Sequence, residues 1–549
     1  MPEHLLDGIH IAESPDAEQP IARVSAQATA FIGRTLRGPV NQPVVVRSFA
    51  DYQQVFGGLW QPSPLSYAVE HFFEQGGQRA VIVRVVNGAA PVTLSLRCAH
   101  EVLTLEAIAP GTREFLRASV DYDNIAPQDE ERFNLVVQRV RSPGSERIQE
   151  QETYRAVSVN PESPRFIANV LLESKLVRVR GAVPRVRPDR TLMPGTSLPI
   201  GYVYSNPDGD DGHPLTDYDI IGSAARGTGI FALRHVEDLA FVYIPPLSRT
   251  QDVGISALLV AAKFCRERRA MLIVDPPAGW STPGEAVRAL RRLDFRCDNA
   301  LMFYPRIIAT DRLRAREEVF ANGGAVAGLL SRAGDAVSAA VAVRELEPVL
   351  RGGVRLATEV NAAQRWKLAA QGVNVLQTVR SPDPHRPALR TLACGASASA
   401  DGSYLAQKRF VLFVIDAIAR GTRWALVAPR TRASWEKLRL QIQAFFEDLQ
   451  AAGAFAAAPA GRAFFVVCDE RLNDDAHLGT TRILIRFASL HGGGYHSYLI
   501  QHSTKGTDVR PVTVNQLESS LIVSDELERE ITIRLDQQEP EYFVATEAG

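Results

Sequence analysis

Cysteine is scarce in this sequence: Cys98, Cys265, Cys297, Cys394 and Cys468 are scattered over 549 positions without a single C-x-x-C pair. An odd, dispersed set argues against a disulfide framework and suits synthesis in a reducing compartment. Charge of one sign is lacking too. Lys plus Arg number 61 against 62 Asp plus Glu, a net charge of -1, so no global field concentrates nucleic acid or an anionic membrane, and direct binding of either is not expected. Long apolar runs are missing: the strongest, Phe410 to Ala419, is broken by Asp416 and falls short of the ~20 residues that span a bilayer. Residues Met1 to His10 contain Glu3 and Asp7 and have neither a basic start nor an apolar stretch, so no secretory signal is expected there.

What is present is ordinary globular material, 46% hydrophobic and 22% charged, and long enough for roughly three or four domains. Periodicity changes along the chain. In residues 1–23 only Ile9 and Ile11 alternate with polar neighbours, as in a lone strand that needs another sheet's edge. Residues 24–90 read as strand, short helix, Pro64-initiated helix and buried strand (79–86), the first part of an α/β domain. Residues 91–200 switch to short alternating stretches, an inserted all-β domain. From 201 to 375, apolar runs at 239–244, 271–275 and 300–304 alternate with helical segments, the pattern of a parallel sheet with crossover helices. Residues 376–488 form an α+β domain with a helix at 404–419, a strand at 423–427, a second helix and a strand at 463–468. In that second helix Trp435, Leu438, Ile442, Phe445, Phe446 and Leu449 share one stripe, with Ser434 as cap and Gly453 as stop. Residues 489–549 are a C-terminal arm and extension with strand-like stretches at 495–501 and 530–535.

Catalytic signals are weak. There is no G-x-S-x-G, H-E-x-x-H or Gly-Lys pair. Asp275, Asp311 and His213 form a triad only if forced together, and polar residues ending strands are the simpler reading. Gly227 to Ala232 matches G-x-G-x-x-A, yet only six residues separate it from the strand at Leu239, too few for the required helix. Asp208, Asp210 and Asp211 suggest calcium, but Gly212 sits where a further ligand is wanted. His491, His496 and His502 match no tight zinc spacing. No metal and no cofactor is expected.

Several motifs occur in one order: Thr29 to Val40 (TAFIGRTLRGPV) with Ser48-Phe49 and Phe56-Gly57-Gly58, then Asn206 to Gly212, Phe303 to Arg306, Ala325 to Gly328, Gly372 to Asn374, Arg390 to Leu392, Trp424 with Pro429 and Trp435, and Ala463 to Asp469 with Asn473. As an ordered set they resemble the sheath proteins of contractile phage tails and related contractile injection systems, up to about residue 503. Two departures stand out: Ala333 to Val349 is rich in Ala, Val and charge, and the chain continues well past residue 503.

The resemblance implies a central domain of subtilisin-like α/β topology without a catalytic triad, the inserted β domain, an α+β C-terminal domain and extended terminal arms. It implies a structural, non-enzymatic subunit that polymerises helically with itself around an inner tube, meets baseplate and tail-terminator proteins, and contracts to drive the tube through an envelope. The location implied is a virion tail or injection particle assembled in the bacterial cytoplasm. Strand addition would link neighbours, with Ile9, His10 and Ile11 as the N-terminal donor and Tyr498, Leu499 and Ile500 as the C-terminal one, Ile531, Ile533 and Leu535 competing for that role. Phe464, Val466, Ile483 and Ile485 would form the accepting sheet, and Lys437 and Arg439 would face the tube. The alternatives are a sheath-like baseplate or tube-end paralogue and, in another class, an α/β hydrolase or dinucleotide-binding enzyme.

Overall fold

The computed structural model describes residues 20–22, 28–192, 201–290, 295–332, 347–380, 386–393, 404–455, 463–473, 479–488, 494–504 and 506–512. It divides into two compact units, one of Ala26–Gly334 with Leu346–Ala398 and one of Met1–Ser25, Asp335–Glu345 and Ser399–Gly549.

The larger unit is built on a seven-stranded sheet in the order Val373–Val375, Ala300–Tyr304, Met271–Val274, Leu239–Tyr243, Ala28–Gly33, Ala80–Arg84, Val44–Val46. All neighbours are parallel except the last pair. The inner strands are continuous apolar runs because both faces are covered. Alternate residues point to opposite faces: Ala28, Ala30 and Ile32 join a core with Ala257, Ala261 and Cys265 of the helix Ile255–Arg268. Phe31 turns the other way, 5.3 Å from the ring of Phe72 on the helix Pro64–Glu74 and 5.8 Å from that of Tyr243.

That second face depends on small residues. The helix Gly323–Arg332 carries the Ala325–Gly328 motif and packs on Pro64–Glu74. A Cβ on Gly324 would lie 2.2 Å from the Ala68 carbonyl oxygen, and one on Gly328 would lie 2.3 Å from that of Phe72. These are backbone atoms, which cannot swing aside, so glycine sets the separation of the two helices.

Asparagine side chains stand in for missing strand partners. Asn374 Nδ2 donates to the carbonyls of Met302 (3.2 Å) and Arg390 (2.9 Å), while its Oδ1 accepts from Arg390 N (2.7 Å). Leu392 N donates to Ala300 O (2.9 Å). The sequence places a change of domain at 375; these bonds hold 386–393 on the sheet, and the unit continues to Ala398. Asn322 Nδ2 likewise donates to the carbonyls of Phe303 and Pro305, 2.7 Å each.

Residues 93–204 hold two antiparallel sheets, one ordered Val203–Tyr204, Leu116–Asp121, Arg132–Val140, Ile148–Ser158 and one ordered Thr93–Cys98, Glu101–Ala107, Val177–Val179. Leu94, Leu103 and Leu105 share one core with Phe133 and Leu135. The Asn206–Gly212 turn ties this layer down: Asp208 accepts from Thr93 N (2.9 Å) and Oγ1 (2.6 Å), and Asp211 accepts from Thr112 N (2.8 Å) and Oγ1 (3.0 Å). Buried Arg84 donates to the carbonyls of Gly38 and Pro110, 2.6 Å each.

The smaller unit packs the helices Leu405–Gly421 and Arg432–Ala451 on a four-stranded antiparallel sheet ordered Phe464–Val467, Thr480–Ala488, Tyr495–Ser503, Gly506–Pro511. Phe410, Val414, Ile442, Phe446, Ile483, Ile485 and Ile500 form its core. The expected strand at 423–427 is instead the 3-10 turn Arg423–Leu426. Thr422 Oγ1 bonds back to Ile418 O (2.7 Å) at the preceding helix end, and Trp424 Nε1 donates to Gln441 Oε1 (3.0 Å), so the backbone is committed to the connection between the helices. The second helix is capped at Thr431, whose Oγ1 accepts from Ser434 N (3.3 Å), three residues before the expected cap. Ile21, 5% exposed, belongs to this core; a Cβ on Gly421 would come within 2.8 Å of Ile21 Cγ1, so glycine leaves the notch that Ile21 fills.

Gly328→Val is expected to lower stability by about 3 kcal/mol, the upper part of the usual cost of overpacking, because the clash is with backbone. A shift of the urea transition of the larger unit to lower concentration checks this; an unchanged midpoint would mean that the helix pair is looser than described.

Candidate functional site

No arrangement of catalytic geometry emerges from the triad candidates. Asp275 ends the strand Met271–Val274 and is spoken for: Tyr243 Oη donates to Oδ2 (2.7 Å) and Gly323 N to Oδ1 (2.9 Å), so the carboxyl caps the helix Gly323–Arg332. Burial pushes its pKa up to about 6, against the pull of these hydrogen bonds and of Arg306. Asp311 is held by Tyr67 Oη and Arg249 Nη2, 3.0 Å each, and His213 is exposed in a turn. No two of the three are hydrogen-bonded. Gly229–His235 is a 3-10 helix leading into the next strand, which leaves Gly227–Ala232 without the helix a dinucleotide loop requires.

Asp208 and Asp211 serve as clasps, as above, and Asp210 Oδ1 accepts from Gly212 N (2.6 Å). His496 Nε2 lies 2.6 Å from Gln407 Nε2. His502, 1% exposed, sits between Thr422 Oγ1 (2.9 Å) and Thr507 Oγ1 (2.8 Å), and burial lowers its pKa to about 4. His491 lies outside the described residues. Among the described residues no group of three or more His, Cys, Asp and Glu is placed to hold a metal ion, and no helix is long and apolar enough to cross a membrane.

The expected accepting residues lie on the sheet of the smaller unit. Phe464–Val467 is the outermost described strand of this sheet and pairs with Thr480–Ala488. Phe464 and Val466, half-buried, lie on this edge strand. Ile483 and Ile485 lie on the inner strand with side chains in the core, so they support the edge without forming it.

Tyr498, Leu499 and Ile500 are not a free arm here. Their strand, Tyr495–Ser503, pairs along its length with Thr480–Ala488 and on its other side with Gly506–Pro511. The reason is packing on both faces: Ile500 enters the core beneath the helices, while Leu499 joins Phe465, Val467 and Leu484 on the opposite face. Ile9, His10, Ile11, Ile531, Ile533 and Leu535 lie outside the described residues.

Asn473 closes the end of the sheet. Its Nδ2 donates to the carbonyls of Arg482 (2.9 Å) and Asp469 (3.2 Å), and its Oδ1 accepts from Arg482 N (2.6 Å), so a side chain replaces one residue of strand pairing. On the helix Arg432–Ala451, Lys437 is exposed with its Nζ 5.6 Å from the Trp424 ring centre. Arg439 donates to both oxygens of Glu436 (3.0 and 2.5 Å) and to Gln443 Oε1 (3.1 Å), which raises its pKa and engages it within its own helix.

No protein-family model and no curated protein sequence matches the chain. Solved structures do. The chain is similar to a sheath tail protein of Listeria innocua, with a TM-score of 0.56 at 11% identity, over 89% of this chain and 97% of that one. A sheath tail protein of Desulfitobacterium hafniense aligns over 90% of this chain and 100% of its own, with 12% identity and a TM-score of 0.49. The contracted helical sheath of the anti-feeding prophage aligns over 85% and 89%, with 12% identity and a TM-score of 0.46. The chain thus has the fold of a sheath tail protein along nearly its whole length.

Asn473→Ala is expected to cost about 1 kcal/mol for the hydrogen bonds lost from the half-buried backbone of Arg482, read as faster amide exchange at 480–484. For His502 the folded state holds neutral imidazole while the unfolded chain takes up a proton below about pH 6.5. Its contribution is therefore complete above that pH and is lost as pH falls toward 4, by at most roughly 3 kcal/mol. Urea midpoints at pH 7 and pH 4.5 should differ less in His502→Gln than in wild type; equal differences would remove His502 as the cause.

Proposed function

We propose that this chain is a structural subunit of a contractile tail sheath, which polymerises helically around an inner tube and shortens to drive that tube through a target envelope. The observation that carries the reading is the fold shared with the Listeria innocua sheath tail protein across nearly all of both chains. The ordered motif set agrees with it, and its members have structural work here: the small residues of Ala325–Gly328 set a helix spacing, while Asn374 and Asn473 complete sheet edges.

On this reading the seven-stranded sheet is a subtilisin-like α/β core without a triad. Helices on both faces support that description, as does the commitment of Asp275 and Asp311 to structural bonds. The subunit is not an enzyme. Its linkage to neighbours is strand addition: Ile9–Ile11 of one copy adds to the Phe464–Val467 edge of another, main-chain bonds holding register while the rest of the subunit rotates. Contraction is the repacking of a lattice trapped on a baseplate and needs no nucleotide. Lys437 has a charge free to approach the tube; Arg439 would first have to leave Glu436. The working location is a virion tail or injection particle assembled in a bacterial cytoplasm, with tube, baseplate and terminator proteins as partners.

The test is negative-stain electron microscopy of the purified chain across concentration, beside the double variant Ile9→Asp, Ile11→Asp, which leaves Ile21 in its notch. Hollow helical tubes from the wild type and none from the variant are expected. Closed rings of fixed size would favour a baseplate or tube-end paralogue. Monodisperse monomers at high concentration, unchanged by added inner tube and baseplate, would overturn the sheath assignment.

A further inference from the structure

One cleft of the larger unit is lined by more arginines than carboxylates. Its volume is ≈ 930 Å³, and five separated pieces of chain meet around it: the loop at Leu36–Arg37 with the helix Phe49–Phe56 and the turn after it, the helix Pro64–Glu74, the segment entering Leu116–Asp121, the hairpin turn between Arg132–Val140 and Ile148–Ser158, and the turn after Ile307–Asp311. Five arginines line it, Arg37, Arg113, Arg141, Arg147 and Arg312, against the single carboxyl of Glu70.

Their pairing is uneven. Arg312 is neutralised by Glu70 (3.1 Å) and Glu74 (2.6 Å). Arg113, Arg141 and Arg147 are exposed and make no ion pair among the described residues. The nearby carboxylates are used elsewhere: Glu114 and Glu150 bind Arg139, and Glu146 binds Arg117. Arg37 is 7% exposed; it donates to Gln149 Oε1 and Gln54 O, 2.7 Å each, and its Nε has no partner. Burial lowers its pKa without a carboxylate bonded to it. A buried guanidinium with a donor to spare, ringed by three unpaired ones and by the apolar Phe49, Phe115 and Ile148, suits an extended peptide rich in carboxylates.

The sequence contains such a peptide. Residues 525–549 hold eight carboxylates, from Asp525 to Glu547, against Arg529 and Arg534, a net charge of -6. As the whole chain carries -1, the other residues together carry +5. The segment and the arginine-lined cleft are thus opposite in charge. Phe543 and Val544, in the midst of that segment, supply apolar groups for the cleft wall.

We propose that the arginine cleft is a docking site for the acidic segment 525–549 of a second copy of this chain. The proposal rests on the sheath reading in one respect, that neighbouring copies come within reach, and needs no helical lattice. Arg141 and Arg147 act through charge-assisted hydrogen bonds at the mouth, and Arg37 does so at the base. Because Arg113, Arg141 and Arg147 are exposed, the attraction is screened by salt and weakens as the Debye length shrinks to about 3 Å at 1 M.

The experiment uses the full chain with Ile148→p-benzoylphenylalanine, 44% exposed at the cleft wall, mixed with an equal amount of uniformly 15N-labelled wild type and irradiated. Mass spectrometry should find peptides from 525–549 cross-linked to residue 148, about half of them 15N-labelled. The yield should fall at least fivefold in 1 M salt and in the Arg141→Glu, Arg147→Glu variant, whose circular dichroism is to match wild type. Absence of cross-links to 525–549, cross-links from the unlabelled chain alone, or a yield indifferent to salt and to charge reversal would each overturn the proposal. Electron microscopy of the same samples separates the two readings: cross-links without tubes sink the sheath assignment and leave the contact, while tubes without cross-links sink the contact alone.

Discussion

A β-strand cannot leave its backbone half-paired in a dry environment, and this chain is organised around that constraint. Each unpaired N–H or C=O group away from water costs on the order of a hydrogen bond or more. In the larger unit, parallel strands are enclosed by helices, and where strand pairing ends, Asn374 and Asn322 supply amide groups in place of a neighbour. In the smaller unit Asn473 does the same at one end of the sheet. Phe464–Val467 is the outermost described strand of that sheet.

The same constraint explains which polar groups are unavailable for chemistry. Asp275, Asp208, Asp211 and His502 look reactive as isolated letters, but each is consumed in holding backbone or hydroxyl groups in place. Used in this way, such carboxyls hold turns and helix ends in place.

Legibility in the sequence followed the range of the interaction. The helix Arg432–Ala451 was readable because its stripe of Leu438, Ile442, Phe445 and Leu449 is a local periodicity, and the strands Met271–Val274 and Ala300–Tyr304 because a strand buried on both faces is a plain apolar run. Arg423–Leu426 was misread since Trp, Ala, Leu and Val suit a strand, and the back-bond of Thr422 that continues the helical turn leaves no trace in composition. Tyr498–Ile500 read as an arm because alternation reveals a strand but not whose sheet it completes. The arginine cleft was invisible: Arg37, Arg113, Arg147 and Arg312 are far apart in sequence, and only the fold makes them neighbours. The motif asparagines were seen as letters in a series; their role as surrogate backbone required tertiary geometry.

Ile21 in the notch at Gly421 has a geometric consequence. It fixes one end of a leash. Between Ile21 and Ile11 lie ten residue steps, and a fully extended chain advances at most ~3.6 Å per residue, so the leash reaches roughly 35 Å from Gly421. If Ile9–Ile11 joins another copy's sheet, that sheet's edge must stay within this radius in every state of the assembly, however the subunits turn. The number of residues between Ile11 and Ile21 is then a ceiling on how far adjacent copies separate, and inserting or deleting residues between 12 and 20 becomes a way to raise or lower it.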